Sequence, residues 1–230
     1  MTYEQILKKL KSMTNEKNRA GMSRFGIETS KAYGISIYDL RKLAKEIPKD
    51  HDLALKLWES DIHEARHLAS QIDEPGKVTE DQIEKWVKDF NSWDICDQVC
   101  DNLFMHTRFA YPKIYEWAER EEEFVKRASF TLIACLSWHD KNATDQDFIR
   151  MFPLIKKAST DERNFVRKAV NWALRNIGKR NLNLNKEAVK LARELEKMDS
   201  KSARWIAKDA IRELTSEKMQ ERLKTKDKGK

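Results

Sequence analysis

Six glycines and four prolines in 230 residues leave few positions for tight turns. That shortage argues against a sandwich or barrel, whose many strands need Gly- and Pro-rich connections. Three cysteines, Cys96, Cys100 and Cys135, are an odd number in a long chain. They do not fit the even disulfide framework of a small secreted domain and read as reduced and mostly buried. No apolar run approaches the length of a membrane span, and Met1 to Lys11 lacks the apolar core of a signal peptide. The expectation is a cytoplasmic protein with no membrane partner.

What is present points to helices. Charged residues make up 36 % and hydrophobic residues 40 %. That balance suits amphipathic helices with solvated faces and is too apolar for a disordered chain. A net charge of +7 suggests a polyanionic partner. The run Lys224, Lys226, Lys228, Lys230 contributes to it and is expected to fray.

Helical periodicity dominates the chain. Ser36 can cap a helix with Leu40, Leu43, Ala44 and Ile47 on one face, and Pro48 stops it. Asp50 precedes Leu53, Ala54, Leu57 and Trp58, and a further helix runs from Ile62 to Ile72. Thr79 and Gln82 form a capping box ahead of Ile83, Trp86, Val87 and Phe90. Later helices are expected at Ser92–Phe104, Tyr111–Ala118, Glu122–Trp138, Asp145–Lys157, Glu162–Lys179, Lys186–Lys197, Ser202–Leu214 and Glu217–Lys224. Short connections imply antiparallel neighbours.

Phe124-Val125-Lys126-Arg127-Ala128 recurs 41 residues later as Phe165-Val166-Arg167-Lys168-Ala169. Ala203-Arg204-Trp205-Ile206-Ala207 is a softer echo, with His63-Glu64-Ala65-Arg66 earlier in the chain. Two helices per repeat of about 40 residues is the HEAT or armadillo pattern, which stacks into a superhelix with a concave binding face. The expected fold is therefore all-α, a HEAT-like solenoid with a basic concave face. It is read as one domain over 1–216, followed by a terminal helix and basic tail over 217–230.

Helical wheels separate packing faces from the rest. At about 100° per residue, Val166, Ala169, Val170, Ala173 and Ile177 share one side, and Lys168, Trp172, Arg175 and Lys179 the other. Basic groups neutralise phosphates and an indole offers its π-face to a base or cation. Packing of Trp172 on a neighbouring helix is the alternative. From Ser92, the residues Ile95, Cys96, Val99 and Leu103 form an apolar side. Trp93 and Asp97, at i and i+4, share another face, flanked by Cys100. On the helix from Glu122, Arg127, Thr131 and Trp138 point away from the inner stripe. Arg127 is either a phosphate contact or the partner of a glutamate among residues 121–123.

His63-Glu64-Ala65-Arg66-His67 matches H-E-x-x-H, the zinc-peptidase pattern. A third ligand is not evident beyond Glu80 or Glu84, and no strand presents a peptide. The two histidines are expected on a polar helix face, with no metal.

Three segments together resemble the DNA alkylation repair enzyme family, whose best-known members are the AlkD-like DNA glycosylases. They are Ser92-Trp93-Asp94-Ile95-Cys96-Asp97, Phe124-Val125-Lys126-Arg127-Ala128 and the run from Phe165 through Arg175. The resemblance runs from about Tyr38 to Leu214, and residues 1–35 depart from the family's N-terminal pattern. It implies a HEAT-like superhelix holding double-stranded DNA, and excision of positively charged N3- and N7-alkylpurines without a cofactor. By motif position, Trp93 and Trp172 match the family's two tryptophans, Asp97 its catalytic aspartate and Arg127 its backbone-binding arginine. Lys126, Arg167, Lys168, Arg175 and Lys179 are candidates for wider backbone contact. A monomer is expected, nucleoid-associated when bound to DNA. The alternatives are a non-catalytic reader of damaged or branched DNA, a scaffold for protein partners and the zinc peptidase.

Overall fold

Polar side chains ahead of apolar runs start most of the helices in the computed structural model, which describes residues 1–228 and side chains through residue 226. Among the described residues every regular element is helical. None of these helices is long and apolar enough to cross a membrane. The chain forms two compact units, Met1–Ala110 and Tyr111–Lys230.

The first unit holds α1 (Tyr3–Ser12), α2 (Glu16–Met22), α3 (Ile37–Lys45), α4 (His51–Glu59), α5 (His63–Ile72), α6 (Glu80–Lys88) and α7 (Trp93–Asn102). Short 3-10 turns lie at Ser23–Phe25 and Phe104–His106. The side chains of Ser36, Asp50 and Thr79 accept from the backbone N–H groups of Asp39, Leu53 and Gln82. Such caps contribute about 1 kcal/mol each. The box expected at Thr79 is only half formed, because the Gln82 amide donates to Asp73 at 2.7 Å instead. A complete box sits at Thr2 and Gln5, a helix start not among those expected; it begins α1, which buries Ile6 and Leu10.

Helix α5 packs against α3, α4 and α7. Nearby, the indoles of Trp58 and Trp86 stack at 4.0 Å with 3° between their planes. Trp58 donates to Asp89 at 2.8 Å, and the Arg66 guanidinium lies 5.0 Å from the Trp58 ring centroid.

The segment before α3 is tied to α5 by a carboxylate. Glu64, fully buried, accepts from the backbone N–H groups of Tyr33 (2.9 Å), Gly34 (2.7 Å) and Ile35 (3.2 Å). Gly34 has φ of 75°, and a Cβ there would lie 2.3 Å from the Asn15 carbonyl oxygen and 2.6 Å from the Arg19 nitrogen. Both are backbone atoms, so neither can swing aside. Gly34→Ala is expected to cost about 2–4 kcal/mol, from left-handed strain plus overpacking. The shift of the urea midpoint measures it; an unchanged midpoint would mean that α2 and this turn are not held together.

The second unit holds α8 (Ala110–Ala118), α9 (Glu123–His139), α10 (Asp145–Ile149), α11 (Phe152–Ala158), α12 (Asn164–Gly178), α13 (Leu182–Glu196), α14 (Lys201–Leu214) and α15 (Glu217–Lys228). The single helix expected over Asp145–Lys157 is two. Pro153 lies in the first turn of α11, where its missing N–H does no harm, and it could not continue α10. Helix α15 extends beyond the expected Lys224 and buries Met219 and Leu223. Lys230 of the expected frayed tail lies outside the described residues.

Four cross-helix bonds in this unit join residues 38 to 42 positions apart. Arg127 donates to the Phe165 carbonyl at 2.6 Å, Asn171 to Asp209 at 2.7 Å, Asn176 to the Ala134 carbonyl at 3.2 Å and Ser202 to the Asp161 carbonyl at 2.8 Å. The rings of Phe124 and Phe165 stack at 5.5 Å. The repeat read from the sequence is thus a physical one here, with α9, α12 and α14 in equivalent places. The first unit uses a shorter step. Trp58–Asp89, His63–Asp94 and Glu64–Tyr33 are each 31 apart.

Candidate functional site

Helix α7 commits one side to the core and leaves another partly open. Ile95, Cys96, Val99 and Cys100 are fully buried, as is Leu103 just beyond the helix. Cys100, expected beside the open face, belongs to the core. Trp93 and Asp97 are half-buried, one helical turn apart. The Trp93 indole donates to the Phe25 carbonyl at 3.0 Å, so the turn at Ser23–Phe25 fixes the ring. The Phe25 side chain itself is 69 % exposed. The structure therefore brings Trp93 and Asp97 together on one face of one helix, as the i, i+4 spacing requires.

Arg127 and Trp172 belong to the second unit, on α9 and α12, which pack directly on each other. Arg127 is only 5 % exposed, more enclosed than its wheel position suggests, and Thr131 beside it is fully buried. The reason is the partner helix. Its guanidinium donates to the Phe165 carbonyl at the exposed start of α12. Trp172 is half-buried.

The basic residues of α12 differ in how much charge they offer. Lys168 is exposed. Arg167 lies over the Trp205 ring at 4.8 Å. Arg175 and Lys179 both pair with Glu213 of α14 at 2.6 Å, and Arg175 also approaches Asp209 at 3.5 Å. Burial raises the Glu213 carboxyl, but the two cations more than offset this and hold it below the usual carboxylate range. Lys126 sits 3.9 Å from Glu121 and 4.0 Å from Asp161. The cationic stripe read from the wheel is thus partly neutralised within the fold.

His63 and His67 are not on a polar face. They are 7 % and 3 % exposed, because α7 covers that side of α5. Asp94 Oδ2 lies 2.9 Å from His63 Nε2 and 3.3 Å from His67 Nε2. Burial lowers the His67 pKa, with Asp94 opposing. Burial raises the Asp94 carboxyl, but the two imidazoles outweigh it and the group stays far below its ordinary value. Glu64, which a zinc peptidase would use as its base, is already occupied by three backbone N–H groups. The third group beside the histidines is Asp94, one residue after Trp93, and neither Glu80 nor Glu84 joins it. Sequence spacing alone could not show this, because it depends on how α7 crosses α5.

Comparison with known proteins places the chain in a family. The uncharacterized protein Lin0241 of Listeria innocua serovar 6a is 24 % identical over 202 residues, covering 86 % of this chain and 88 % of that one. The uncharacterized protein Lmo0209 of Listeria monocytogenes serovar 1/2a is 33 % identical over 89 residues, 37 % of this chain and 40 % of that one. A solved structure from "a new family of proteins related to the HEAT-like repeat DNA glycosylases with affinity for branched DNA structures" superposes with a TM-score of 0.75 at 18 % identity. It covers 92 % of this chain and 95 % of its own, so the HEAT-like fold is shared. The family described as "DNA alkylation repair enzyme" matches residues 6–214, and the match takes in most of the N-terminal stretch that the sequence analysis set apart. An all-helical repeat fold and a family match over nearly the whole chain agree: the chain belongs to the DNA alkylation repair enzyme family.

Proposed function

We propose that this protein is a monofunctional DNA glycosylase that hydrolyses the N-glycosidic bond of N3- and N7-alkylated purines in duplex DNA. The observation that supports it most is Asp97 one turn from Trp93, on the partly open face of a helix otherwise committed to the core.

A 7-alkylguanine or 3-alkyladenine carries formal positive charge, so it leaves with little acid catalysis. As the bond electrons pass to the base, C1′ becomes oxocarbenium-like. The Asp97 carboxylate stabilises that cation and orients the water whose oxygen bonds to C1′. Trp93 and Trp172 hold sugar and cationic base through contacts worth about 1 kcal/mol each. Arg127 is assigned the phosphate next to the lesion by its motif position, and its bond to Phe165 gives it the further role of anchoring α12. Lys126, Arg167, Lys168, Arg175 and Lys179 are the candidates for other phosphates. Of these, Arg175 and Lys179 must exchange Glu213 for DNA.

A second reading, DNA binding without excision, is favoured by those internal pairs and by the branched-DNA affinity reported for the solved relative's family. One pair of measurements separates the two. The first is release of 7-methylguanine from methylated duplex DNA, which the glycosylase reading expects. The second is affinity for duplex and four-way-junction DNA. Six phosphate contacts predict a roughly 1,800-fold loss between about 50 and 200 mM salt. Junction binding with this salt dependence but no released base would establish the second reading. Absence of DNA affinity at low salt would remove both.

A further inference from the structure

The H-E-x-x-H run plays no part in the proposed excision, yet its two histidines are the most unusual side chains in the first unit. Both belong to α5, one turn apart, and both turn Nε2 inward. Their Nε2 atoms lie 3.2 Å from each other, and Asp94 Oδ2 lies 2.9 and 3.3 Å from them. All three groups are largely enclosed, the Asp94 side chain being 18 % exposed.

Protons satisfy this triangle poorly. If each Nε2 donates to Asp94, two N–H groups abut across 3.2 Å. If one Nε2 accepts from the other, the acceptor's approach to Asp94 sets lone pair against lone pair. His67 Nδ1 and Asp94 Oδ1 are buried as well, with no hydrogen-bond partner. A cation removes the conflict, because three lone pairs then converge on one centre. Tetrahedral zinc, with bonds of about 2.0–2.1 Å to nitrogen and oxygen, spaces its ligand atoms by roughly 3.3 Å. The observed edges fall at or just below that spacing.

We propose that His63 Nε2, His67 Nε2 and Asp94 Oδ2 bind a divalent transition-metal ion, zinc by ligand type, which clamps α5 to the first turn of α7. Two imidazoles and one carboxylate suit zinc and its neighbours rather than magnesium or calcium. The fourth position is left for water. His63 also lines a small cavity of about 80 Å³ together with Lys31, Asp61 and Asn91. The ion is not a peptidase centre, since Glu64 is held by the amides of Tyr33, Gly34 and Ile35 and cannot serve as a base. Its effect is positional. Asp94 follows Trp93 directly, so the clamp fixes the turn that carries Trp93 and, one turn on, Asp97.

The full-length protein, stripped with a chelator, is titrated with cobalt(II) and separately dialysed against zinc. The expected result is one ion per chain, a cobalt spectrum of nitrogen and oxygen ligands, and a higher melting temperature with zinc. His67→Gln and Asp94→Asn, each similar in size to the native side chain, are expected to weaken zinc at least about 100-fold. Failure of the wild type to bind either ion would overturn the proposal. So would a thiolate-to-cobalt charge-transfer band, or undiminished affinity in both variants, since either places the ion elsewhere. The cobalt spectrum is read on the wild type and stands even if a variant folds poorly. Because the readout is binding, the result is independent of whether the protein excises bases.

Discussion

Asp97→Asn is expected to release 7-methylguanine from methylated duplex DNA about 10²–10³-fold more slowly than the wild type. The figure is the usual cost of removing one preorganised electrostatic group from a charge-developing transition state, about 3–4 kcal/mol of barrier. The substitution keeps the shape of the side chain and the face of α7, so it tests charge rather than folding. Undamaged duplex DNA should bind equally well or slightly better, because a negative charge near the phosphates is gone. Single-turnover release and equilibrium binding, measured on the same preparation, separate the two effects. Equal release by both proteins would take Asp97 out of the chemistry while leaving the fold and the family untouched.

Glu64→Ala is expected to lower the unfolding free energy by about 3–5 kcal/mol. The carboxylate serves three backbone N–H groups in a segment that has no ladder or helix of its own to satisfy them. An orphaned buried donor costs about 1–3 kcal/mol, and the three costs add incompletely because the loop can relax toward water. Glu64→Gln should lose less. One amide oxygen still accepts, but the NH2 group faces donors and the charge assistance disappears. The order wild type, Gln, Ala in urea midpoint is the signature. A Gln variant as stable as the wild type would show that charge contributes nothing, and an Ala variant as stable would show that the segment does not depend on α5.

Much of the fold is legible in the chain. Ser36, Asp50 and Thr79 mark helix starts because a short polar side chain before an apolar run has one favourable thing to do, which is to accept an N–H. The recurrence of Phe124-Val125-Lys126-Arg127-Ala128 at Phe165 is visible because the α9–α12 contact reuses the same face. The step of the first unit escapes notice. Its equivalent positions pair unlike residues, such as Trp58 with Asp89 and His63 with Asp94, so the 31-residue step leaves no matching motif. Trp93 and Asp97 can be placed from their i, i+4 spacing alone. The enclosure of Arg127 and the pairing of Arg175 and Lys179 with Glu213 cannot, because a wheel shows which way a side chain points and not what lies there. His63 and His67 illustrate the same limit: a polar-looking face is buried when the helix crossing it brings a matching carboxylate.

The spacing of cross-helix bonds in the second unit bears on how such a chain can change length. The α9–α12 and α12–α14 interfaces are each made between a segment and its counterpart one repeat on. Insertion or loss of a whole segment of about forty residues would therefore leave every remaining interface with a complementary neighbour. Removal of a single residue within α12 would instead rotate everything beyond it by about 100°. Asn176 would then face away from the Ala134 carbonyl. Growth by modules and intolerance of small deletions are two outcomes of one register.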